Sequence, residues 1–243
     1  MFHESAILKK DIRYIYFDVD DTILDHKSAE RAGLQDTHDN LEFLQPIPLQ
    51  ELWDVYHSNN KKLWKDYGAG RIDREFLEHS RFAWTLRDLG IETSNTTKMR
   101  ETYMQYYEDH WEWIPGAKEA LSVLSKQYSV GFLTNGFAEV QQRKAENFGL
   151  LDLTDNYIIS ENVGFMKPMP GIFEYATRIA EVEPKEILYV GDSFISDIEG
   201  GSAFGWKTAW FTNSQDASQR KKATFIFDDF DLLVRELDRK LAN

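Results

Sequence analysis

The sequence predicts an α/β protein built on a parallel β-sheet, with an all-helical segment inserted after the first strand. Three observations lead to this prediction. In the C-terminal half, short strand-like segments alternate with helical ones; the strand-like segments end at Asp, Asn or Gly; and about a hundred residues after the first strand contain no strand-like segment. Strands that are separated by single helices are joined by right-handed crossovers, which make the sheet parallel and cover both of its faces.

The strand-like segments are short and rich in β-branched and aromatic residues, a composition that favours strands. Five are clear, and a sixth, ATFIFDD, lies near the C-terminus. In chain order, the five are IRYIYF (12–17), YSVGFLT (128–134), NYIIS (156–160), EILYVGD (186–192) and KTAWF (207–211).

Helical segments with apolar residues at three- to four-residue spacing lie between these strands. GAKEALSVLSKQ follows Pro115, FAEVQQRKAENFG places Phe137, Val140 and Phe148 near one face, and GIFEYATRIA follows Pro170. FDLLVRELDRKLAN is the last segment of this kind. In such a sheet we expect the functional site beyond the carboxyl ends of the strands.

The long segment between the first two strands has helical periodicity only. LQELWDVYHSNNKKLWKDYG, IDREFLEHSRFAWTLRDLG and TTKMRETYMQYYEDHWEW are separated by Pro and Gly residues. We therefore predict an α/β core over residues 1–25 and 113–243 and an inserted helical domain over 26–112. Because the insertion starts directly after an acidic cluster that ends the first strand, we expect it to lie over the functional site.

Composition restricts the partners of the protein. The chain has a formal net charge of −13 and no cysteine, so disulfides and thiolate chemistry are excluded. A cysteine-free chain without a bilayer-spanning or signal segment is expected in the cytoplasm. The negative charge repels nucleic-acid polymers and anionic membranes, and neither is expected as a partner. Lysines and a divalent cation can still bind a small anion, and we expect a monomer or weak homodimer.

The first strand ends in the cluster YIYFDVDDTILDH, which contains Asp18, Asp20 and Asp21. A calcium loop that began at Asp18 would need Gly at its sixth position and Glu at its twelfth, where this chain has Ile23 and Ala29. Carboxylates crowded at the end of a buried strand repel one another. A bound Mg²⁺ would relieve that repulsion, so the cluster predicts a magnesium site.

The ends of the later strands also carry polar residues that phosphoryl chemistry requires. Each one alone is explained by a turn, a helix cap or a solvated lysine, but four such signatures in order at four strand ends predict a shared site. The residues are Thr134 and Asn135 in FLTNG, Lys167 in NVGFMKPMPG, and Asp192, Ser193 and Asp197 in YVGDSFISD.

These four signatures resemble the motifs of the haloacid dehalogenase-like hydrolase superfamily. Its Asp-x-Asp-x-Thr motif is matched by Asp18-Val-Asp20-Asp-Thr22, its Ser/Thr by Thr134, its Lys by Lys167, and its Gly-Asp and following Asp by GDSFISD. The resemblance covers essentially the whole chain. It implies a Rossmann-like parallel sheet with a helical cap inserted after the first motif.

The resemblance also implies a mechanism. Asp18 is then the nucleophile that forms an aspartyl-phosphate, and Asp20 is the general acid and base. Asp20 must be protonated in the first step, and we expect neighbouring carboxylates to favour that state. The resemblance implies Mg²⁺ as the cofactor, with carboxylate oxygens from Asp18 and Asp192 and the backbone carbonyl of Asp20 as ligands.

Other residues of the motifs have implied supporting roles. Thr134, the backbone N–H of Asn135 and Lys167 would bind phosphoryl oxygens, and Lys167 would also support Asp18. The remaining residues are expected to support these groups without contacting the substrate. Asp197 would orient Lys167 or a metal-bound water, and Thr22 would tie the loop after Asp20. Ser193 would lie beside Asp192 or cap a helix.

The residue type at position 20 separates two reactions within this superfamily. Haloacid dehalogenases have an aromatic residue there because a halide leaving group needs no proton, so Asp20 argues for a phosphatase. DVDDTILD and GAGRIDREFLEHSRF resemble the subfamily of 5'-nucleotidases that hydrolyse non-canonical pyrimidine mononucleotides. We therefore expect a small phosphorylated metabolite as substrate, most specifically a (deoxy)nucleoside monophosphate.

Several alternatives stay open at this point. A sugar-phosphate or phosphoglycolate phosphatase and a phosphomutase would share the same core, and a 2-haloacid dehalogenase or a phospho-aspartate receiver fits less well. Arg71, Arg74 and Arg81 lie in the insertion, where they would either contact substrate or pair with neighbouring helices. Most of the tryptophans of this region are expected to pack helix against helix.

Overall fold

The computed structural model describes residues 11–238 and divides them into two compact units. One unit consists of the described residues up to Asp25 together with those from Trp113 onward. The other is His26–Glu112. Within residues 11–238, no helix has both the length and the apolar character needed to cross a bilayer.

The unit His26–Glu112 is built from helices. Its helices are α1 (His26–Asn40), α2 (Leu49–Gly68), α3 (Arg74–Asp88) and α4 (Thr96–Asp109), with a 3₁₀ turn at Thr93–Asn95. Asp73 caps α3 by accepting a hydrogen bond of 2.8 Å from the N–H of Phe76.

Aromatic rings form the centre of the helical unit. Tyr56, Phe82 and Tyr103 are fully or almost fully buried, and their ring centroids lie 5.4–5.6 Å apart. Gly33 allows α1 to approach α4, because a Cβ atom there would lie 2.9 Å from Cα of Tyr107. These contacts show how the helical periodicity of the sequence becomes a packed core.

Trp53 and Trp84 are partly buried tryptophans of this unit that contact cations. The guanidinium of Arg31 lies 5.6 Å from the ring centroid of Trp53, and Nζ of Lys62 lies 5.4 Å from that of Trp84. Both rings therefore lie at the boundary between core and solvent.

The other unit contains a six-stranded parallel sheet with the order β3-β2-β1-β4-β5-β6. This is the Rossmann order, which reverses direction between β1 and β4 and places a crevice at that point. The α/β fold with a parallel sheet and a helical insertion is confirmed. The strands are β1 (Tyr14–Phe17), β2 (Ser129–Thr134), β3 (Tyr157–Ile159), β4 (Ile187–Gly191), β5 (Lys207–Phe211) and β6 (Phe225–Phe227).

Helices connect the strands of this sheet. A π-helical turn, Phe194–Glu199, and 3₁₀ turns at Leu150–Asp152 and Pro184–Glu186 complete the connections. The helices are α5 (Ala117–Leu124), α6 (Ala138–Asn147), α7 (Ser160–Val163), α8 (Pro170–Ala180), α9 (Gly200–Ala203), α10 (Ala217–Arg220) and α11 (Phe230–Leu237).

Strand β1 lies at the centre of the sheet and is buried on both faces. Ile15 and Phe17 belong to a core that includes residues of α5 and α11, whereas Tyr14 and Tyr16 belong to a second core that includes residues of α8. Gly131 of β2 makes room for these rings, because a Cβ atom there would lie 2.6 Å from Tyr16. Two packed faces therefore fix the strand that carries the first acidic motif.

Candidate active site

Asp18 follows the last residue of β1, and its side chain is buried. Its N–H donates a hydrogen bond of 2.9 Å to the carbonyl of Val190, which continues the pairing of β1 with β4. Beyond it the chain turns tightly, because the N–H groups of Ile23 and Leu24 both lie 3.0 Å from the carbonyl oxygen of Val19. The pairing and the turn together fix the backbone of the first motif.

The ammonium group of Lys167 is surrounded by three oxygen acceptors. It lies 2.6 Å from Oδ1 of Asp18, 2.9 Å from Oδ1 of Asp197 and 2.6 Å from the hydroxyl of Tyr189. Tyr189 in turn donates to the carbonyl of Leu133. Burial alone would lower the pKa of Lys167, but the carboxylates of Asp18 and Asp197 more than offset it, and the pKa is raised.

Asn135 holds the backbone of Lys167 from the end of β2. Its Oδ1 accepts a hydrogen bond of 2.8 Å from the N–H of Lys167, and its Nδ2 donates one of 3.0 Å to the Lys167 carbonyl. The neighbouring Thr134 is buried, and its hydroxyl lies 3.3 Å from the carbonyl oxygen of Asn135. The side chain of Asn135 therefore both accepts from and donates to the backbone of Lys167, which joins the end of β2 to the Lys167 segment.

Thr22 joins the first motif to the loop after β4. Its hydroxyl donates to Oδ2 of Asp18 at 3.3 Å and accepts a hydrogen bond of 3.0 Å from the N–H of Asp192. Thr22, in the loop after Asp20, thus links the ends of the two adjacent strands β1 and β4. Asp192 is held from the other side, because its carbonyl accepts from the indole N–H of Trp210.

Asp197 is completely buried, and both of its oxygens have donors. Oδ1 accepts from Lys167, and Oδ2 accepts a hydrogen bond of 2.9 Å from the N–H of Ser193. Gly191 is required for this approach, since a Cβ atom there would lie 2.5 Å from Oδ2 of Asp197. Ser193 also caps the following turn by accepting from the N–H of Ser196.

Three carboxylates converge in this site. Within the described residues, Asp18, Asp192 and Asp197 each offer an oxygen, and these oxygens lie within 4.8 Å of one another. Burial raises the pKa of Asp18; Asp197 and Asp192 raise it further, and Lys167 opposes them. Three carboxylates against one ammonium leave a formal charge of −2, which an oxygen-liganded divalent cation would balance. The donor set therefore fits an oxygen-liganded divalent cation such as Mg²⁺.

The carboxyl group of Asp20 contacts helix α6. Its Oδ1 lies 2.5 Å from Nζ of Lys144, and its Oδ2 accepts a hydrogen bond of 2.8 Å from Nε2 of Gln141. The sequence had indicated other carboxylates as the neighbours of this group. Phe137 is buried and Val140 and Phe148 are partly buried, and the buried positions of this helix also include Gln141 and Lys144, with Ala145.

The sequence does not predict three side chains that contact Asp20 or Lys167, namely Tyr189, Gln141 and Lys144. Tyr189 lies inside an apolar strand, where a tyrosine is an ordinary core residue. The two residues of α6 had a recognisable signal, because polar residues three apart lie on one helix face directly after the second motif.

A comparison with protein-family models matches residues 12–205 to the haloacid dehalogenase-like hydrolases. The chain belongs to this family. Among curated haloacid dehalogenase-like relatives, YfnB from Bacillus subtilis (strain 168), named as a HAD-hydrolase, is 32% identical over 203 residues, or 83% of this chain and 84% of YfnB. The crystal structure of YfnB bound to magnesium superposes with a TM-score of 0.81 at 30% identity and covers 94% of this chain and 100% of that one.

Two further relatives are named for phosphate-ester hydrolysis. The pyrimidine 5'-nucleotidase YjjG of Escherichia coli (strain K12) is 34% identical over 198 residues, which is 81% of this chain and 84% of YjjG. A glyceraldehyde 3-phosphate phosphatase of Pyrococcus furiosus is 28% identical over 237 residues, 94% of each protein. The haloacid dehalogenase-like hydrolase described here therefore has relatives among both nucleotidases and sugar-phosphate phosphatases.

Proposed function

We propose that this hydrolase cleaves phosphate monoesters through an aspartyl-phosphate intermediate and acts as a 5'-nucleotidase on (deoxy)nucleoside monophosphates. The observation that carries the proposal is the position of Asp18, which is buried at the end of β1, hydrogen-bonded to Lys167 and followed two residues later by Asp20. A buried carboxylate beside a fixed ammonium is suited to attack an anionic phosphoryl group, because the ammonium reduces the repulsion between nucleophile and substrate.

In the first step, a carboxylate oxygen of Asp18 forms a bond to phosphorus, and the bond from phosphorus to the ester oxygen breaks. Asp20 donates its proton to that oxygen, so the alcohol leaves as a neutral molecule and Asp20 becomes a carboxylate. Thr134, the N–H of Asn135 and Lys167 bind phosphoryl oxygens as negative charge moves onto the leaving group.

In the second step, water attacks the phosphorus of the aspartyl-phosphate. Asp20 takes a proton from this water, and the bond from phosphorus to the Asp18 oxygen breaks. The products are inorganic phosphate and the original Asp18 carboxylate, and Asp20 is protonated again for the next turnover. One water molecule is consumed and one alcohol is released, so the two steps balance as a hydrolysis.

A magnesium ion would be held by Asp18, Asp192 and the backbone carbonyl of Asp20, and when bound it supplies positive charge that keeps Asp18 ionised and offsets the charge of the phosphate. The converging carboxylates support this assignment. Asp197 is assigned to holding Lys167 and the N–H of Ser193, from which its two oxygens accept.

The nucleotidase assignment is supported by the identity of 34% to YjjG, whose name specifies pyrimidine 5'-nucleotides. The alternative of a sugar-phosphate phosphatase is supported by the relative from Pyrococcus furiosus, which matches over 94% of this chain. Both assignments use the same core residues and differ only in the alcohol that leaves.

A panel assay with Mg²⁺ separates these candidates. We expect phosphate release from dUMP, dTMP and UMP with a higher kcat/KM than from glyceraldehyde 3-phosphate or phosphoglycolate, and no halide release from 2-chloropropionate. The reverse order would make sugar phosphates the substrate class. Incorporation of phosphate limited to one equivalent per chain, without turnover, would instead indicate a receiver. Transfer of phosphate to a second sugar hydroxyl would indicate a mutase.

A further inference from the structure

The ion pair between Asp20 and Lys144 is largely enclosed by protein. The side chain of Lys144 is 1% exposed and that of Asp20 is 22% exposed. A lysine is rarely buried to this extent unless a carboxylate compensates the loss of water around its charge. The ion pair is therefore a buried structural contact rather than a surface ion pair that forms and breaks in solvent.

Gln141 completes this contact from the previous turn of α6. Its Oε1 accepts a hydrogen bond of 3.3 Å from the hydroxyl of Tyr157, which directs its Nε2 towards Oδ2 of Asp20. Its close approach to the loop after β2 depends on Gly136, where a Cβ atom would lie 2.8 Å from Nε2 of Gln141. Both oxygens of Asp20 thus contact side chains that are themselves fixed.

Helix α6 connects this contact to the phosphoryl-binding loop. The helix begins at Ala138, two residues after Gly136 of the loop Thr134-Asn135-Gly136, and the N–H of Ala138 donates to Glu161. The loop that binds the phosphoryl group and the side chains that hold Asp20 therefore belong to one continuous segment, so their relative positions are fixed by a short stretch of backbone.

We propose that Lys144 and Gln141 are positioning residues that orient the carboxyl group of Asp20 for proton transfer at the leaving oxygen. The proposal rests on the proposed phosphatase function, in which Asp20 is the acid and base. A proton is transferred efficiently only when donor and acceptor are held within hydrogen-bond reach. Without its two contacts on α6, Asp20 would keep its backbone position but lose its side-chain orientation.

The dependence of the rate on the leaving group tests this role. An alkyl phosphate such as a nucleoside monophosphate needs a proton on its leaving oxygen, whereas p-nitrophenolate leaves as an anion. We expect Lys144→Met and Gln141→Leu to lower kcat for both esters by unequal factors. The factor for dUMP should be at least about ten times the factor for p-nitrophenyl phosphate. Asp20→Asn should show the same selectivity to a larger extent.

Matched substitutions on the surface of the same unit serve as controls. Gln142→Leu changes the neighbouring, exposed residue of α6, and Lys126→Met removes an exposed lysine, so neither should alter the ratio of the two rates. Lys144→Arg keeps the positive charge and should restore part of the selectivity. Thermal unfolding of each variant shows whether it is folded at the assay temperature.

The outcomes distinguish this inference from the proposed function. If Lys144→Met and Gln141→Leu reduce both rates by the same factor, or leave both unchanged, while Asp20→Asn is selective, the positioning role is wrong and the phosphatase assignment stands. If the wild-type protein releases no phosphate from either ester, the proposed function itself is wrong. If Gln141→Leu alone is folded, its ratio of rates decides the question.

Discussion

Oδ1 of Asp18 and Nζ of Lys167 lie 2.6 Å apart in a buried site, at the meeting point of two segments that are 149 residues apart in sequence. An ion pair of this kind has opposite effects on its two members. It keeps Lys167 charged, and it reduces but does not cancel the cost of ionising Asp18 beside Asp197 and Asp192. One ammonium among three carboxylates leaves the site with an excess of negative charge.

Asp18→Asn should abolish turnover and stabilise the metal-free protein. Activity should fall by roughly 10⁴-fold or more because the nucleophile is lost. Because burial raises the pKa of Asp18, its ionised form at neutral pH costs folding free energy, and Asn removes that cost. We expect the melting temperature without metal to rise by about 2–4 °C for each kcal/mol recovered. Asp155→Asn, at an exposed position, is the control, and a lower melting temperature of Asp18→Asn would contradict this account.

Lys167→Met should destabilise the protein strongly. The substitution leaves the buried carboxylates of Asp18 and Asp197 without their shared ammonium, a loss of about 3–5 kcal/mol for a buried pair. Urea denaturation with and without Mg²⁺ measures the effect, and Mg²⁺ should recover part of it by supplying positive charge. A variant as stable as the wild type would show that the site is solvated rather than buried.

Tyr189→Phe should cost about 1–3 kcal/mol of stability, since its hydroxyl accepts from Lys167 and donates to Leu133 inside the core. Loss of the hydroxyl should lower kcat only modestly, because Lys167 keeps its two carboxylate partners. Tyr175→Phe, in α8 and only partly buried, is the matched control. Equal stabilities for the two variants would rule out a role for the Tyr189 hydroxyl in holding the lysine.

Magnesium should stabilise the wild-type protein in proportion to its occupancy. At a concentration about 100 times the dissociation constant, the expected gain is roughly 2.7 kcal/mol. Asp192→Asn should remove most of this gain, and Asp155→Asn should not. Calorimetric titration of the two variants with Mg²⁺ checks the assignment, and undiminished binding by Asp192→Asn would exclude Asp192 as a ligand.

The pH dependence of activity should shift with the concentration of Mg²⁺. Attack requires ionised Asp18, and its raised pKa means that activity declines with falling pH sooner than it would for an ordinary aspartate. A bound cation favours the ionised form and should move this acid limb to lower pH. Profiles of kcat/KM at limiting and saturating Mg²⁺ measure the shift, and an acid limb that does not move would show that a different group sets it.

Tyr56→Phe in the helical unit should be neutral or stabilising by up to about 2 kcal/mol. Within residues 11–238, the buried hydroxyl of Tyr56 makes no hydrogen bond of ordinary geometry, and burial raises its pKa. Tyr107→Phe is the matched control, because that hydroxyl lies 2.8 Å from Nδ1 of His26 and its loss should cost stability. Clear destabilisation by Tyr56→Phe would indicate that the hydroxyl is solvated in solution.

The fold could be predicted from sequence because the strands combine strong local signals. The segments YSVGFLT and EILYVGD are apolar and β-branched, and each ends in residues that stop a strand, so their positions matched β2 and β4 closely. By contrast, α1 was not identified as a separate helix. Its buried positions include Glu30 and Thr37, so its apolar periodicity is weak and only the packing partners define its inner face.

The site was predictable where one residue type has one chemical use, as with carboxylates at strand ends. It was not predictable where a common residue acquires its role from tertiary contacts. In the sequence, Tyr189 is indistinguishable from an ordinary core tyrosine and Lys144 from an ordinary helix lysine. In the structure, the hydroxyl of Tyr189 lies 2.6 Å from Nζ of Lys167, and Lys144 contacts Asp20. Such pairings depend on which strand ends are adjacent in the sheet, and that order is a property of the fold.

A primary ammonium group has three hydrogens, and the three oxygen acceptors around Lys167 use all of them. A phosphoryl oxygen can therefore gain a hydrogen bond from Lys167 only by replacing an existing acceptor. A dianionic ester compensates for the carboxylate it displaces, whereas an uncharged ester of similar shape does not. Lys167 with all three hydrogens in use therefore favours anionic phosphoryl groups, so uncharged phosphate analogues should bind poorly.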